Sequence, residues 1–353
     1  MDLNERNLTL PINNILENLP VTGGTIIFPK GNFIISEISL IGNKDNKYGQ
    51  LSFIGSGTNI KLKKNSKSNP ILLENIKTVK VENIKIDGNK NFQKNNKVSG
   101  LNIRNCDNVE LTNISIENCS QSGVKLNAIN NLLIQDSNFS KNGVNKKGVY
   151  SDGITAVNII EGKIINNTCN YNNSKKTMDG DGIQIGNTEN KLLLNNLQKI
   201  SIIGNTCIGN GRRGIKIQRS IVHVEKNIIY ENKAKQIAIV QEYPLNDISV
   251  TNNTIGRQGI NSMQSIVIHS GQATEVFHEN ILITNNTFQG SFNNEGVLLD
   301  NCKNIVFKDN ALQFDEDKSS TPQIRITDRC QNSKIQKIPG KVIVNKGKNI
   351  QIQ

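Results

Sequence analysis

Three short glycine-containing segments carry the acidic and basic residues that are best placed to do chemistry. They read Ser151-Asp152-Gly153, Gly180-Asp181-Gly182 and Gly211-Arg212-Arg213-Gly214-Ile215-Lys216. Asp179 stands two residues before Asp181. Two neighbouring carboxylates acquire different pKa values, because the charge of one raises the pKa of the other. Such a pair can supply the acid and the base that cleave a glycosidic bond.

The basic residues beside this pair suit an anionic substrate. Arg213 and Lys216 could bind a uronate carboxylate or stabilise developing negative charge. The predicted catalytic residues are Asp152, Asp179, Asp181 and Arg213. The predicted substrate-binding residues are Lys125, Tyr150, Gln184, Arg212, Lys216 and His269. His223 and His278 fall outside this region, and the pattern places them on the surface.

Two reactions and one purely structural alternative fit these residues. Endo-acting hydrolysis is slightly favoured and requires no cofactor. β-Elimination instead needs a base that removes the C5 proton of a uronic acid, drawn from Arg213, Lys216, Tyr150 and His269. In that reaction Asp152, Asp179 and Asp181 could hold Ca²⁺. Asp-Gly is also a common turn dipeptide, so turn geometry alone would explain the acidic pairs.

A short repeated pattern determines where these residues must lie. An apolar residue, an Asn and a second apolar residue recur in segments such as Ile164 to Cys169 and Ile202 to Cys207. Superposition of the copies aligns one Asn per repeat, at Asn167, Asn205, Asn227, Asn253, Asn286 and Asn310. Asn tolerates the left-handed backbone of a tight turn, and its amide can bond the same amide one coil away. The repeat predicts an all-β fold, a single-stranded right-handed parallel β-helix of about ten coils.

A second repeated segment precedes each Asn turn and predicts an open sheet face. It reads Gly or a polar residue followed by apolar, any, apolar, as in Gly153-Ile154-Thr155-Ala156 and Gly214-Ile215-Lys216-Ile217. Alternation with period two buries one side of such strands and exposes the other. The longest insertions, at 140–151, 170–181 and 186–198, would wall a groove on this face.

One domain is expected over residues 1–353, with a cap and first strand at 1–33, coils at 34–330 and a terminal coil or cap at 331–353. Leu10 to Leu19 has apolar residues at helical spacing and stops before Pro20, which predicts a short capping helix. A capped end protects the stack from edge association.

The composition of the chain restricts its partners. The net charge is +12, so an anionic partner is expected. Nucleic acid is disfavoured, because the lysines are dispersed and no run of aromatic residues offers a stacking platform. Six cysteines without metal-ligand spacing predict buried thiols. We predict no membrane span and, from the charged first residues, no secretory signal.

The opening segment Gly23-Gly24-Thr25-Ile26-Ile27-Phe28-Pro29-Lys30-Gly31, with the preceding helix and the following coils, resembles the pectate-lyase superfamily and phage tailspike depolymerases. The three segments of the candidate site look similar to the polygalacturonase-type hydrolase pattern. They depart from it where the paired Asp-Asp becomes Asp179-Gly180-Asp181 and where Arg213 replaces a His. The resemblance implies an enzyme that cleaves an acidic, uronate-type or capsular polysaccharide outside the cell or on a virion, as a homotrimer if it is a tailspike. A carbohydrate-binding adhesin is the non-catalytic alternative.

Overall fold

The computed structural model describes residues 6–66, 68–93, 97–144, 151–173, 179–187, 196–257, 264–273, 275–290, 296–314, 323–337 and 343–353. Nearly all regular structure is parallel β-sheet, wound into a solenoid of about 11 turns. The predicted all-β parallel β-helix is therefore confirmed, with about one coil more than the repeat indicated. The described residues contain no helix that is long and apolar enough to cross a membrane.

The single α-helix among the described residues, Thr9–Glu17, confirms the predicted helix at Leu10 to Leu19. It buries Ile12 and Leu16 against the core of the first coils. A short 3₁₀-helix follows at Lys90–Phe92.

Strands of successive coils stack in register and form three sheet faces, here called faces 1, 2 and 3. Each residue in a strand pairs with its equivalent one coil away, as Ile154 does with Ile183 and Ile183 with Ile215. Five long strands turn the corner between two faces. Tyr48–Leu62 and Ile76–Asp87 run from face 2 to face 3, and Leu101–Thr112, Val124–Gln135 and Ile154–Ile165 run from face 1 to face 2.

Face 1, which contains the predicted site, is completed by Ile38–Ile41, Ile71–Glu74, Ile183–Gly186, Arg213–Gln218, Lys235–Val240, Gln264–His269, Val297–Leu299, Ile324–Ile326 and Ile343–Asn345. Face 2 is completed by Gly23–Phe28, Ile200–Ile203, Val222–Glu225, Asn246–Thr251, His278–Thr284, Cys302–Lys308, Cys330–Gln331, Lys334–Ile335 and Gln351–Ile352. Face 3 is completed by Arg6–Asn7, Gly31–Ile35, Ser115–Glu117, Asn138–Ser140, Thr206–Ile208, Ile228–Tyr230, Thr254–Arg257, Thr287–Gly290 and Ala311–Phe314.

The core is a column of aliphatic side chains that runs the length of the stack. Inward positions repeat Ile, Leu and Val from coil to coil, and the aromatic pairs Phe28 with Phe53 and Phe288 with Phe307 fill wider levels. All six cysteines are buried with free thiols, as predicted. Cys302 and Cys330 occupy paired positions on neighbouring coils, with their sulfur atoms 2.8 Å apart.

The predicted Asn column forms a continuous ladder of buried amides. Asn167 donates from Nδ2 to Asn205 Oδ1 at 3.0 Å, and the same contact links each pair up to Asn310. Each ladder oxygen also accepts the backbone N–H of the previous Asn. One detail of the prediction is wrong: the left-handed residue is the one before the ladder, for example Asn166 or Asn252. The side-chain amide of the ladder residue itself forms hydrogen bonds with residues of the neighbouring coils.

A second ladder was not predicted. Asn142, Asn172, Asn210 and Asn232 are linked by Nδ2-to-Oδ1 bonds of 2.8–3.0 Å, and Asn232 donates in turn to Gln236 Oε1 at 2.7 Å. Three of these residues stand five positions after a member of the first ladder, so the sequence carried the signal. The two ladders fix both ends of the short face 3 strands in these coils.

Candidate functional site

The predicted site lies on face 1, where three consecutive coils present Thr155, Gln184 and Lys216 in register on the outward side. The residues Asp152, Asp181 and Arg213 each stand two positions before an inward-facing isoleucine. Alternation with period two therefore gives them inward parity, and all three are buried. This parity was readable in the sequence.

Asp152 is fully buried, and hydrogen bonds occupy both of its carboxyl oxygens. Oδ1 accepts the backbone N–H of Asp181 at 2.9 Å, and Oδ2 accepts the hydroxyl of Thr155 at 2.8 Å. Burial, aided by the charge of Asp181, raises the pKa of Asp152 to about 7. Asp152 is therefore a carboxyl group that can hold a proton near neutral pH.

Asp181 and Arg213 form a buried ion pair one coil further along. Asp181 Oδ1 accepts the backbone N–H of Arg213 at 3.1 Å, and Oδ2 lies 3.3 Å from Arg213 Nη1. Burial raises the pKa of Asp181, while the charges of Arg213 and Lys216 oppose the rise. Burial also lowers the pKa of Arg213. The charge of Arg213 favours the ionised form of Asp181.

Two lysines beside this pair make no ion pair with any residue in the described part of the chain. Lys216 lies outward on face 1, and burial lowers its pKa, although Asp181 and Asp152 pull the pKa upward. Lys235 is paired in register with Arg213 and was not predicted as a site residue. Burial and the charges of Arg213 and Arg212 lower the pKa of Lys235 to about 8. The site therefore has positive charge that its own carboxylates leave uncompensated.

The remaining predicted residues surround this centre at different depths. Asp179 faces Arg212 at 3.5 Å, and Gln184 donates to Gln218 one coil away at 3.3 Å. Lys125 is exposed, in register with Thr155. Tyr150 and much of the predicted loop walls lie outside the described residues.

His269 lies further along face 1, where Val240 is its partner in register. Its Nδ1 accepts the backbone N–H of Gly271 at 3.0 Å, and burial with the charges of Lys235 and Arg213 lowers its pKa to about 4. His269 is therefore neutral near pH 7. His278, predicted to be a surface residue, is instead fully buried, because Nδ1 accepts the backbone N–H of Leu245 and Nε2 donates to the His269 carbonyl.

The carboxylates of this site already have partners. Asp152 accepts an N–H and a hydroxyl, whereas Asp179 and Asp181 each face an arginine. A Ca²⁺ ion shared by the three would have to displace both arginines and these donors. No cluster of three or more metal-ligating side chains occurs among the residues that the structure describes.

Other grooves lie away from this site. One of about 880 Å³ runs along the corner between faces 2 and 3 and is lined by amides and hydroxyls such as Asn113, Ser115 and Asn166. It holds no pair of ionisable groups comparable to Asp152 and Asp181. We therefore place the candidate chemistry on face 1.

Comparison with known proteins shows the fold. No protein-family model matches the chain, and no curated protein does. The mannuronan C-5 epimerase AlgE4 A-module of Azotobacter vinelandii superposes with a TM-score of 0.68 at 17% identity, covering 99% of this chain and 94% of that one. The family 28 exopolygalacturonase of Yersinia enterocolitica superposes with a TM-score of 0.65 at 11% identity, covering 96% and 77%.

A tailspike protein of the E. coli bacteriophage HK620, a mutant in complex with a pentasaccharide, superposes with a TM-score of 0.63 at 15% identity, covering 97% of this chain and 75% of that one. The first two proteins are named as polysaccharide-modifying enzymes, the third binds a pentasaccharide, and all are right-handed parallel β-helices. The chain has the right-handed parallel β-helix fold of the mannuronan epimerase, the exopolygalacturonase and the phage tailspike.

Proposed function

We propose that the protein is an enzyme that acts on an acidic polysaccharide laid along face 1, across the coils that carry Asp152, Asp181 and Lys216. The observation that carries this proposal is the pair of uncompensated lysines, Lys216 and Lys235, beside a carboxyl group that holds a proton near neutral pH. A polyanion supplies the negative charge that the site lacks. The three similar structures support a polysaccharide as substrate.

Within this proposal, removal of the C5 proton of a uronic acid is better supported than hydrolysis. Hydrolysis requires a second carboxylate as base or nucleophile, but both oxygens of Asp181 are engaged by Arg213, and Asp179 faces Arg212. Lys216 reaches the outward side of face 1, and its lowered pKa increases the fraction of neutral amine. Lys235 lies beside Arg213 on the next coil, makes no ion pair with the described residues, and can neutralise the substrate carboxylate.

In the proposed elimination, the neutral amine of Lys216 takes the C5 proton, a C4–C5 double bond forms, and the bond from C4 to the leaving oxygen breaks. The leaving oxygen takes a proton that comes from Asp152. Lys216 ends as an ammonium and Asp152 as a carboxylate, and exchange with solvent restores both. Epimerisation would share the first step and return a proton to C5 from the opposite side.

Hydrolysis remains a second candidate because a carboxyl group with a pKa of about 7 is suited to protonate a glycosidic oxygen. A calcium requirement, a trimer and a place outside the cell or on a virion stay predictions; the tailspike neighbour supports the last two.

The test is digestion of polymannuronate, polyguluronate, polygalacturonate and a panel of capsular polysaccharides in D₂O, followed by mass spectrometry and NMR. Unsaturated products, lighter by one water, would establish elimination, and deuterium at C5 of an intact chain would establish epimerisation. Saturated new ends would establish hydrolysis. Binding without any product would overturn the enzymatic proposal in favour of a carbohydrate-binding protein.

A further inference from the structure

Asp152 cannot touch a polysaccharide directly, because its side chain has no exposed surface. An acid that protonates a leaving group must nevertheless reach it through hydrogen bonds. The described partners of the Asp152 carboxyl are the backbone N–H of Asp181 and the hydroxyl of Thr155. A backbone amide cannot relay a proton readily, so the hydroxyl is the route that the structure offers.

Thr155 is placed for this task. It lies on the outward side of face 1 between Lys125 and Gln184, its register partners on the two adjacent coils. Its Oγ1 is 2.8 Å from Asp152 Oδ2 and 3.0 Å from Ser122 Oγ. About 9% of the residue is exposed, so its side chain separates the buried carboxyl from the groove.

We propose that Thr155 is a catalytic residue, whose hydroxyl relays the proton of Asp152 to the substrate. This inference rests on the proposed function. As the leaving oxygen departs, the Thr155 hydroxyl gives it a proton and takes the proton of Asp152 in the same step. The hydroxyl is restored, Asp152 becomes a carboxylate, and the leaving sugar ends in a hydroxyl group. The Ser122 hydroxyl lies 3.0 Å from Thr155 Oγ1 and takes no part in the proton transfer.

The charged groups around Asp152 determine the pH range of this relay. Asp181 and Asp179 raise the pKa of Asp152, and the hydrogen bond from Thr155 lowers it. Lys216 is a nearby cation on face 1, and the charge of Asp152 raises the pKa of Lys216 against the lowering effect of burial. Removal of the Thr155 hydroxyl should therefore raise the pKa of Asp152 further, without removing a charge.

The test compares Thr155→Val, which keeps the shape and loses the hydroxyl, with Thr155→Ser, which keeps the hydroxyl. Ser122→Ala is the control for loss of a neighbouring hydroxyl. Carboxyl ¹³C NMR of the labelled full chain follows the titration of Asp152, and the spectrum of Asp152→Asn assigns its signal. Turnover of the acidic polysaccharide is measured over the same pH range.

We expect Thr155→Val to lower kcat by about 100-fold with little change in KM, because general acid catalysis contributes at least that much. The NMR pKa of Asp152 and the alkaline limb of the residual activity should move upward together, and Thr155→Ser should restore both. Ser122→Ala should keep kcat within a few-fold of wild type.

Two results would overturn the inference: an NMR titration of Asp152 that Thr155→Val leaves unchanged, or a shifted titration with unchanged kcat and pH profile. Failure of the wild-type protein to convert any acidic polysaccharide would instead overturn the proposed function, and the NMR titration would still report whether Thr155 and Asp152 are linked.

Discussion

At the scale of single residues, Asp152 combines a role in chemistry with a cost to stability, because its carboxyl group is fully buried and both of its oxygens accept hydrogen bonds. The sequence predicts that Asp152, Asp181 and Arg213 lie together on neighbouring coils. Their burial was not predicted from the sequence, although period-two alternation from Ile154 gives Asp152 inward parity. His278 was misplaced for a related reason: its burial depends on the carbonyl of His269, which no local pattern reveals.

Asp152→Asn should stabilise the protein at high pH and abolish its activity. The Asn oxygen can still accept the Asp181 N–H, and its amide can donate to Thr155, which then donates to Ser122. The pKa of Asp152 is raised from 3.8 to about 7, so ionisation destabilises the folded wild type progressively as pH rises through this range. Urea unfolding should show equal stability of the two proteins near pH 4 and an advantage of up to about 4 kcal/mol for the variant at pH 8. Wild-type activity after the substitution would remove Asp152 from the mechanism.

Lys216→Arg should separate the role of a base from that of a charge. Arginine keeps the positive charge but does not deprotonate in proteins. If Lys216 takes the C5 proton, kcat should fall by about 100-fold or more while KM changes little. Lys216→Gln should impair both constants, and Lys199→Gln, an exposed lysine on face 2, should change neither. Full kcat in Lys216→Arg would exclude Lys216 as the base.

At the scale of elements, the amide ladders hold the turns of successive coils together. The first ladder was predictable because one Asn recurs in six consecutive repeats. The second was not predicted, because an Asn stands five residues after the first-ladder Asn in only three of these six repeats, and Gln258 and Ser291 occupy the position after Asn253 and Asn286. The left-handed residues were assigned one position too late, since both the turn residue and the ladder residue are often Asn.

Asn227→Ala should be strongly destabilising. Asn227 donates to Ile202 and Asn253, and its oxygen accepts two N–H groups of Asn205. The substitution leaves buried donors and acceptors without partners, so we expect a loss of about 2–5 kcal/mol in the free energy of unfolding. Asn131→Ala, which removes one exposed bond to Asn108, should cost about 0.5 kcal/mol or less. Urea unfolding of both variants measures the difference in their free energies of unfolding. Similar losses of stability would show that the buried ladder bonds stabilise the fold no more than an exposed amide bond does.

At the scale of the whole molecule, the stack behaves as a one-dimensional array whose coils contact only their neighbours. The number of coils and their register follow from the repeat, so the fold could be predicted almost completely. The path of the long insertions could not be predicted, because their sequences do not repeat and the neighbouring coils do not determine their conformation.

Deletion of residues 287–310 should give a shorter protein that folds and stays active. The cut joins Asn286 to Ala311, which follows Asn310 in the same ladder and pairs with Thr287. It removes one coil and leaves Asp152, Asp181 and Lys216 untouched, because contacts in a solenoid are local. Circular dichroism and turnover should resemble those of the full chain at somewhat lower stability. Loss of all sheet signal would show that the coils are not independent units.

The column that contains Asp152, Asp181, Arg213 and Lys235 also gives the groove a direction. Charge passes from acidic to basic along the axis over four rungs, which are separated by three spacings of about 4.8 Å, a distance of only a few sugar units. A polyanion approaching the middle of face 1 meets unpaired positive charge on the side of Lys235, whereas on the side of Asp152 the carboxyl groups are buried and are protonated or paired with Arg213. Because a polysaccharide has two inequivalent ends, we expect the protein to bind the chain in one orientation and to act along it in one direction.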